Sequence, residues 1–263
     1  MATVFDGRFS NGIRFPANLG DSPNGYYGGA SGPADSVLYV PDPLGVKGTV
    51  ARMTCKAGSP LWANGWRTEA SLLQVARGLY CYHESVLLAD GWDGDWPFTI
   101  IYQQHGNDST ATYGRPPAME ISAVGPARRA LVTVWSRTDP TASSTSTAAM
   151  TQRKLWVGYL DLTKWLDITV NVNWQYDNTG SLDLYFNGVK VAGFTGAGTC
   201  YNEPEGGPFM KFGTYVQSPH DTPTSRDVTT YHAGAVITSG AAALAEMAAL
   251  TGYSYKPKVI VSA

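Results

Sequence analysis

Apolar and polar residues alternate with a period of two along most of the chain. The clearest run is Leu166, Ile168, Val170, Val172 and Trp174, interleaved with Asp167, Thr169, Asn171 and Asn173. That period turns successive side chains to opposite faces, as in a half-buried strand. The same reading predicts strands at Ser36–Val40, Gly48–Cys55, Arg67–Leu73, Gly78–Leu88, Phe98–His105, Met119–Ala123 and Ala130–Trp135. Later strands are predicted at Trp156–Tyr159, Leu166–Tyr176, Ser181–Phe186, Val189–Phe194, Phe209–Gln217 and Thr229–Ile237. Asn187-Gly188 between two of them is a hairpin signal, because both residues tolerate positive φ. Residues 1–35, rich in Gly, Asn, Pro and Ser, are expected to wrap the surface, and Thr141–Thr151 reads as a polar loop. Only Ala241–Leu250 has a helical look. Many short strands with one terminal helix predict an all-β sandwich or jelly roll, folded as one domain over residues 1–263.

Composition narrows the picture. The chain has 263 residues, of which 43% are hydrophobic and only 15% charged. Its 29 Gly, 16 Pro, 15 Tyr and 8 Trp suit strands joined by tight loops. A formal net charge of −2 gives no general attraction to nucleic acid or to an anionic membrane. No apolar run is long enough for a transmembrane helix. The start, MATVFDGRFSNG, lacks the basic and apolar regions of a signal peptide. A secreted or extracellular location is still expected. Either a leader has been removed, or export takes another route, such as within a phage particle. Cys55, Cys81 and Cys200 are an odd set, so at least one thiol is free, and no C-x-x-C pair suggests a metal or redox site.

Three polar motifs fall on predicted strands: Arg67-Thr68-Glu69, Gln103-Gln104-His105, and Lys211-Phe212-Gly213-Thr214-Tyr215-Val216-Gln217. Residues two apart share a face. Arg67 therefore lies beside Glu69, Gln103 beside His105, and Lys211 beside Tyr215 and Gln217. Phe212 and Val216 point the other way, toward a core. A sheet with an apolar inner face and Arg, Gln, His, Lys and Tyr outside describes a polar groove.

Those motifs resemble the R-x-E, Q-x-H and K-x-G-x-Y-x-Q signatures of jelly-roll polysaccharide lyases, the group that includes alginate, heparinase-I-type and glucuronan lyases. The resemblance covers roughly residues 45–240. Gly78–His105 is similar to the heparinase-like pattern, and Trp165–Val191 resembles the back-sheet hairpins of concanavalin-A-like jelly rolls. Departures are Ala70 and Ser71 where alginate lyases often carry a second Arg, and Gln104 where they carry Ile or Val. The resemblance implies a monomer that cleaves an anionic, uronic-acid-containing polysaccharide by β-elimination without a required cofactor. Structural calcium is compatible with the fold, although no ligand run is visible.

The chemistry needs three things. The uronate carboxylate must be neutralised, so that removing the C5 proton leaves a stabilised enolate. A base must take that proton, and an acid must protonate the leaving oxygen. The resemblance assigns Gln103 and Arg67 to the carboxylate, Tyr215 to the acid, and Tyr215 or His105 to the base. Nearby Lys211 and Arg67 are expected to lower the tyrosine pKa. Lys211, Glu69, Gln217, Tyr82, Asn107 and Arg115 are the expected substrate contacts, with His83 a reserve histidine. Taken singly, each has a plainer reading: a structural histidine, a cross-strand ion pair, an aromatic packed in the core.

Three rival classes stand beside this reading. A non-catalytic carbohydrate-binding domain, for example on a phage particle, would not need Gln, His, Arg and Tyr together. A virion structural domain would need none of them. A glycoside hydrolase needs two carboxylates flanking the bond, and Glu120 stands alone in its strand.

Overall fold

The computed structural model describes residues 5–13, 27–31, 35–58, 66–72, 74–89, 92, 98–106, 116–140, 150–202, 206–217 and 226–256. Its strands are β1 (Phe5–Asp6), β2 (Tyr27–Ser31), β3 (Val37–Pro41), β4 (Thr49–Cys55), β5 (Trp66–Leu72), β6 (Gly78–Leu88), β7 (Phe98–His105) and β8 (Met119–Val124). They continue with β9 (Ala130–Thr138), β10 (Thr151–Leu160), β11 (Leu166–Trp174), β12 (Ser181–Phe186), β13 (Val189–Thr195), β14 (Phe209–Gln217), β15 (Val228–His232) and β16 (Val236–Ser239). One α-helix, α1 (Ala243–Thr251), follows.

The strands form two antiparallel sheets. One runs β13-β12-β11-β6-β15-β4-β3, with β16 also pairing β6 and β1 pairing β16. The other runs β10-β9-β8-β7-β14-β5-β2. Their facing sides make the core. Leu166, Ile168, Val170, Val172 and Trp174 of the first sheet join Met119, Ile121, Val132, Val134 and Phe212 of the second in one buried cluster. The architecture is the jelly-roll sandwich that the alternation predicted. Hydrogen bonds also tie the layers: Thr214 Oγ1 donates to the Met53 carbonyl at 3.2 Å, and Thr68 Oγ1 to that of Thr54 at 2.9 Å.

The hairpin signal is realised, with Asn187 at φ 49° and Gly188 at φ 77° between β12 and β13. Other expectations are corrected. The segment before residue 35 contributes two strands, β1 and β2. The predicted strand Thr229–Ile237 is two strands. Gly234 breaks it at φ +98°, where a Cβ would come within 2.4 Å of the Gly7 carbonyl oxygen, so the N-terminal segment passes only because no side chain is there. The strand expected at Trp156–Tyr159 is longer, Thr151–Leu160, and the loop expected at Thr141–Thr151 otherwise falls mostly outside the described residues. All three cysteines are buried and free. No helix among the described residues is long and apolar enough to cross a membrane.

Candidate functional site

The site is a grid of side chains on the outer face of the sheet that holds β14. Along β14, Phe209, Lys211, Gly213 and Tyr215 share that face, while Phe212 and Val216 are buried. On one side Lys211 pairs with Ser71, Gly213 with Glu69, and Tyr215 with Arg67 of β5. On the other side Phe209 pairs with His105, Lys211 with Gln103, and Tyr215 with Ile100 of β7. Gln103 in turn faces Glu120 of β8, and Glu120 faces Trp135 of β9.

Gly213 sets this arrangement. It sits at φ +140°, and a Cβ there would stand 2.2 Å from the Thr68 carbonyl oxygen and 2.8 Å from Glu69 Cα. The β14–β7 register shifts between Phe212 and Tyr215 at the same place. A bulge of this kind re-aims the side chain that follows it. Here that side chain is Tyr215.

Glu69 organises the centre. It is 4% exposed and accepts a hydrogen bond from the side-chain amide of Gln103, itself 1% exposed. Its other oxygen lies 3.3 Å from Arg67 Nη1. The Arg67 guanidinium also stands over the Tyr215 ring, 3.9 Å from the centroid, close enough for a cation–π contact. Glu120 is held by Arg137 at 3.0 Å. Trp135 has two cations near its ring, Lys154 at 4.9 Å and Arg137 at 5.9 Å from the centroid.

Burial pushes the Tyr215 hydroxyl above its ordinary range, Arg67 opposes that push, and Glu69 and Glu120 reinforce it; the net direction is upward. The lowering expected from Lys211 and Arg67 is therefore corrected, because desolvation and two carboxylates outweigh one guanidinium.

The structure brings Arg67, Glu69, Gln103, His105, Lys211 and Tyr215 onto one face, but not to one point. His105 sits opposite Phe209, with the rings 5.7 Å apart, and its Nδ1 bonds the Gly106 carbonyl at 2.8 Å. From Phe209 to Tyr215 the strand advances roughly 17–20 Å at about 3.3 Å per residue. His105 and Tyr215 therefore occupy opposite ends of the row.

Tyr82 is corrected outright. It is 1% exposed in the core, where its hydroxyl accepts from Trp174 Nε1 at 3.0 Å. His83 lies on β6, in the other sheet. Asn107 and Arg115 are outside the described residues, as is the side chain of Gln217. Sequence reasoning missed Glu120, Trp135, Arg137 and Phe209. Apolar Met119, Ile121 and Ala123, alternating with it, already implied that Glu120 faces away from the core, but only strand pairing reveals that it adjoins Gln103. Among the described residues no group of three or more His, Cys, Asp or Glu is placed to hold a metal ion.

The polysaccharide lyase family profile matches residues 22–234. The chain belongs to the polysaccharide lyases. The matched span includes β5, β7 and β14, and so the whole grid. Among solved structures, this family member is similar to an endo-β-1,4-glucuronan lyase from the fungus Trichoderma reesei, with 16% identity, a TM-score of 0.65, and coverage of 83% of this chain and 92% of that one. An alginate lyase from Klebsiella pneumoniae gives 12% identity, a TM-score of 0.53, and coverage of 79% and 86%. A glycoside hydrolase family 131 catalytic domain from Coprinopsis cinerea gives 16%, 0.54, and 91% and 95%. At such identities the likeness is one of fold, which lyases and a hydrolase share. No curated protein sequence matches the chain.

Proposed function

We propose that this polysaccharide lyase cleaves a uronic-acid-containing polysaccharide by β-elimination, with Tyr215 as both base and acid. The observation that carries the reading is the Arg67–Tyr215 stack beside the Glu69–Gln103 hydrogen bond. Arg67 and Gln103 provide donors for the uronate carboxylate, and Lys211, opposite Gln103, adds positive charge. Glu69 positions Arg67 and Gln103.

The reacting hydrogen on C5 and the leaving oxygen on C4 are on neighbouring ring carbons. One oxygen placed beside them can serve both. The ionised Tyr215 takes the C5 proton. The electron pair forms the C4–C5 double bond as the C4–O bond breaks, and Tyr215 returns the proton to the departing oxygen. His105, at the far end of the row, is proposed to contact a neighbouring sugar together with Phe209. None of these roles invokes a cofactor.

The hydrolase reading has one observation in its favour, since Glu120 is not alone: Glu69 shares its face. The two carboxylates sit three strands apart, about 14 Å at the Cα atoms, and each is held by an arginine. That leaves the elimination better supported. The test is incubation with glucuronans, alginates, glycosaminoglycans and bacterial capsules, followed by ultraviolet absorbance of unsaturated products. Absorbance should rise with at least one polymer. Cleavage without unsaturated ends would mark a hydrolase, and binding without cleavage a carbohydrate-binding domain.

A further inference from the structure

The outer face of the other sheet carries a second polar site. A cavity of about 210 Å³ opens there, lined by Arg8, Ser10, Lys47, His83, Ser85 and Tyr253 among others. Its parts come from distant stretches of sequence. His83 and Ser85 are floor residues of β6, Lys47 follows β3, Arg8 and Ser10 belong to the N-terminal segment, and Tyr253 follows α1.

The cavity rests on a fixed carboxylate. Asp167 accepts from Lys47 Nζ at 2.8 Å, and also from the hydroxyls of Ser85 and Tyr253. Burial pushes its pKa up, but the Lys47 charge and these hydrogen bonds hold it below the usual carboxylate range. Arg8 is likewise matched by Asp6, with Nε to Oδ1 at 2.8 Å. Each cation therefore faces one anion, and the cavity is close to electrically balanced.

His83 supplies the second observation. It is 6% exposed, and its Nδ1 is held by Thr169 Oγ1 at 2.9 Å. Its Nε2 has no hydrogen-bond partner among the described residues. Burial, the largest influence, pulls His83 down to about 4, so the ring is neutral at physiological pH. His83 lines the cavity, so a ligand hydroxyl entering it can pair with the ring nitrogen that Thr169 does not hold. Lys47, with one of its three donor positions on Asp167, can offer the others. Val46, Leu250 and the Tyr253 ring add apolar wall.

We propose that this cavity binds a single neutral sugar ring, on the side of the sandwich opposite the Arg67–Tyr215 row. The volume lies below the roughly 300–1,000 Å³ of drug-sized sites, which fits one ring rather than a chain. Charge balance disfavours a uronate or phosphate, since either would add an unmatched anion. Directional donors and acceptors beside apolar wall are what the hydroxyl and C–H faces of a pyranose require. The site goes beyond the lyase reading and does not depend on it.

The test uses the full chain with labelled histidines and follows the His83 imidazole by NMR. The probes are methyl glucoside, methyl galactoside, N-acetylglucosamine, glucuronate and inorganic phosphate. At least one neutral sugar should shift the His83 signals saturably, in wild type and in Tyr215→Phe alike. Ser10 is exposed at the rim, so Ser10→Trp should fill the mouth, leave the fold intact, and abolish the shift. Lyase activity in that variant should be unchanged. The proposal is overturned if no neutral sugar shifts His83, if glucuronate or phosphate acts more strongly than every neutral sugar, or if Ser10→Trp binds as wild type does.

Discussion

Tyr215→Phe isolates the atom on which the proposed chemistry depends. The ring stays, so its contact with the Arg67 guanidinium at 3.9 Å survives. Arg67, Glu69 and Gln103 keep their mutual bonds. Removing one half-buried hydroxyl should change stability by no more than about 1 kcal/mol, a shift of about 2–4 °C in Tm for a chain of this size. Turnover should behave quite differently. A positioned acid or base contributes roughly 10²–10⁴-fold, and losing both roles at once should reach at least the top of that range. The wild-type pH profile follows from the raised Tyr215 pKa. The base form is ionised, so its fraction grows with pH until the pKa is passed. Turnover should therefore climb from neutral pH upward, with no falling limb below about 10, the ordinary tyrosine value. The assay is initial rate by ultraviolet absorbance, with Tm recorded on the same preparations. A Phe variant that keeps more than about a hundredth of wild-type turnover would refute the assignment, and His105→Ala would be the next variant to measure.

Three further outcomes are expected. Gly213→Ala would force a Cβ within 2.2 Å of the Thr68 carbonyl; it should cost about 1–3 kcal/mol in denaturant unfolding and reduce turnover beyond what that loss explains, by moving Tyr215. Tyr82→Phe should cost about 1–3 kcal/mol by stranding Trp174 Nε1 and leave turnover unchanged, whereas an equal loss of turnover would return Tyr82 to the site. Asp167→Asn should destabilise at neutral pH by no more than the roughly 3–5 kcal/mol of a broken buried pair. Because the folded pKa of Asp167 is lowered, its contribution is present above the ordinary carboxylate value and lost as pH falls through the lowered one. The Tm gap between variant and wild type should therefore close in acid.

Much of the architecture was legible because alternation with a period of two is a local signal. β11 and the Asn187-Gly188 hairpin are read directly from their residues. The break at Gly234 was not, because it answers to Gly7, far away in sequence. The motifs also put Arg67, Gln103, Lys211 and Tyr215 on a shared face, and the strand pairing does the same, since parity within one strand suffices for that. They could not give the distance between His105 and Tyr215, which depends on the register of β7 against β14 and on the bulge at Gly213. Nor could they give the direction of the Tyr215 pKa. Sequence motifs gather the nearby cations, while burial and Glu120 enter only once the strands are paired. Tyr82 failed for a related reason: an aromatic on a strand looks the same whether its face meets water or Trp174.

The inward side of β14 has its own consequence. Thr214 bonds Thr230 Oγ1 at 2.8 Å, Thr230 bonds His232 Nε2 at 2.8 Å, and His232 Nδ1 meets Glu84 at 2.6 Å in the fully buried interior. The strand that carries Tyr215 on one side is thus riveted to the opposite layer on the other. Warming should not loosen the active row ahead of the whole molecule, so inactivation and melting should coincide. An engineer who wants a new specificity would do better to exchange the loops around the row than to edit β14 itself.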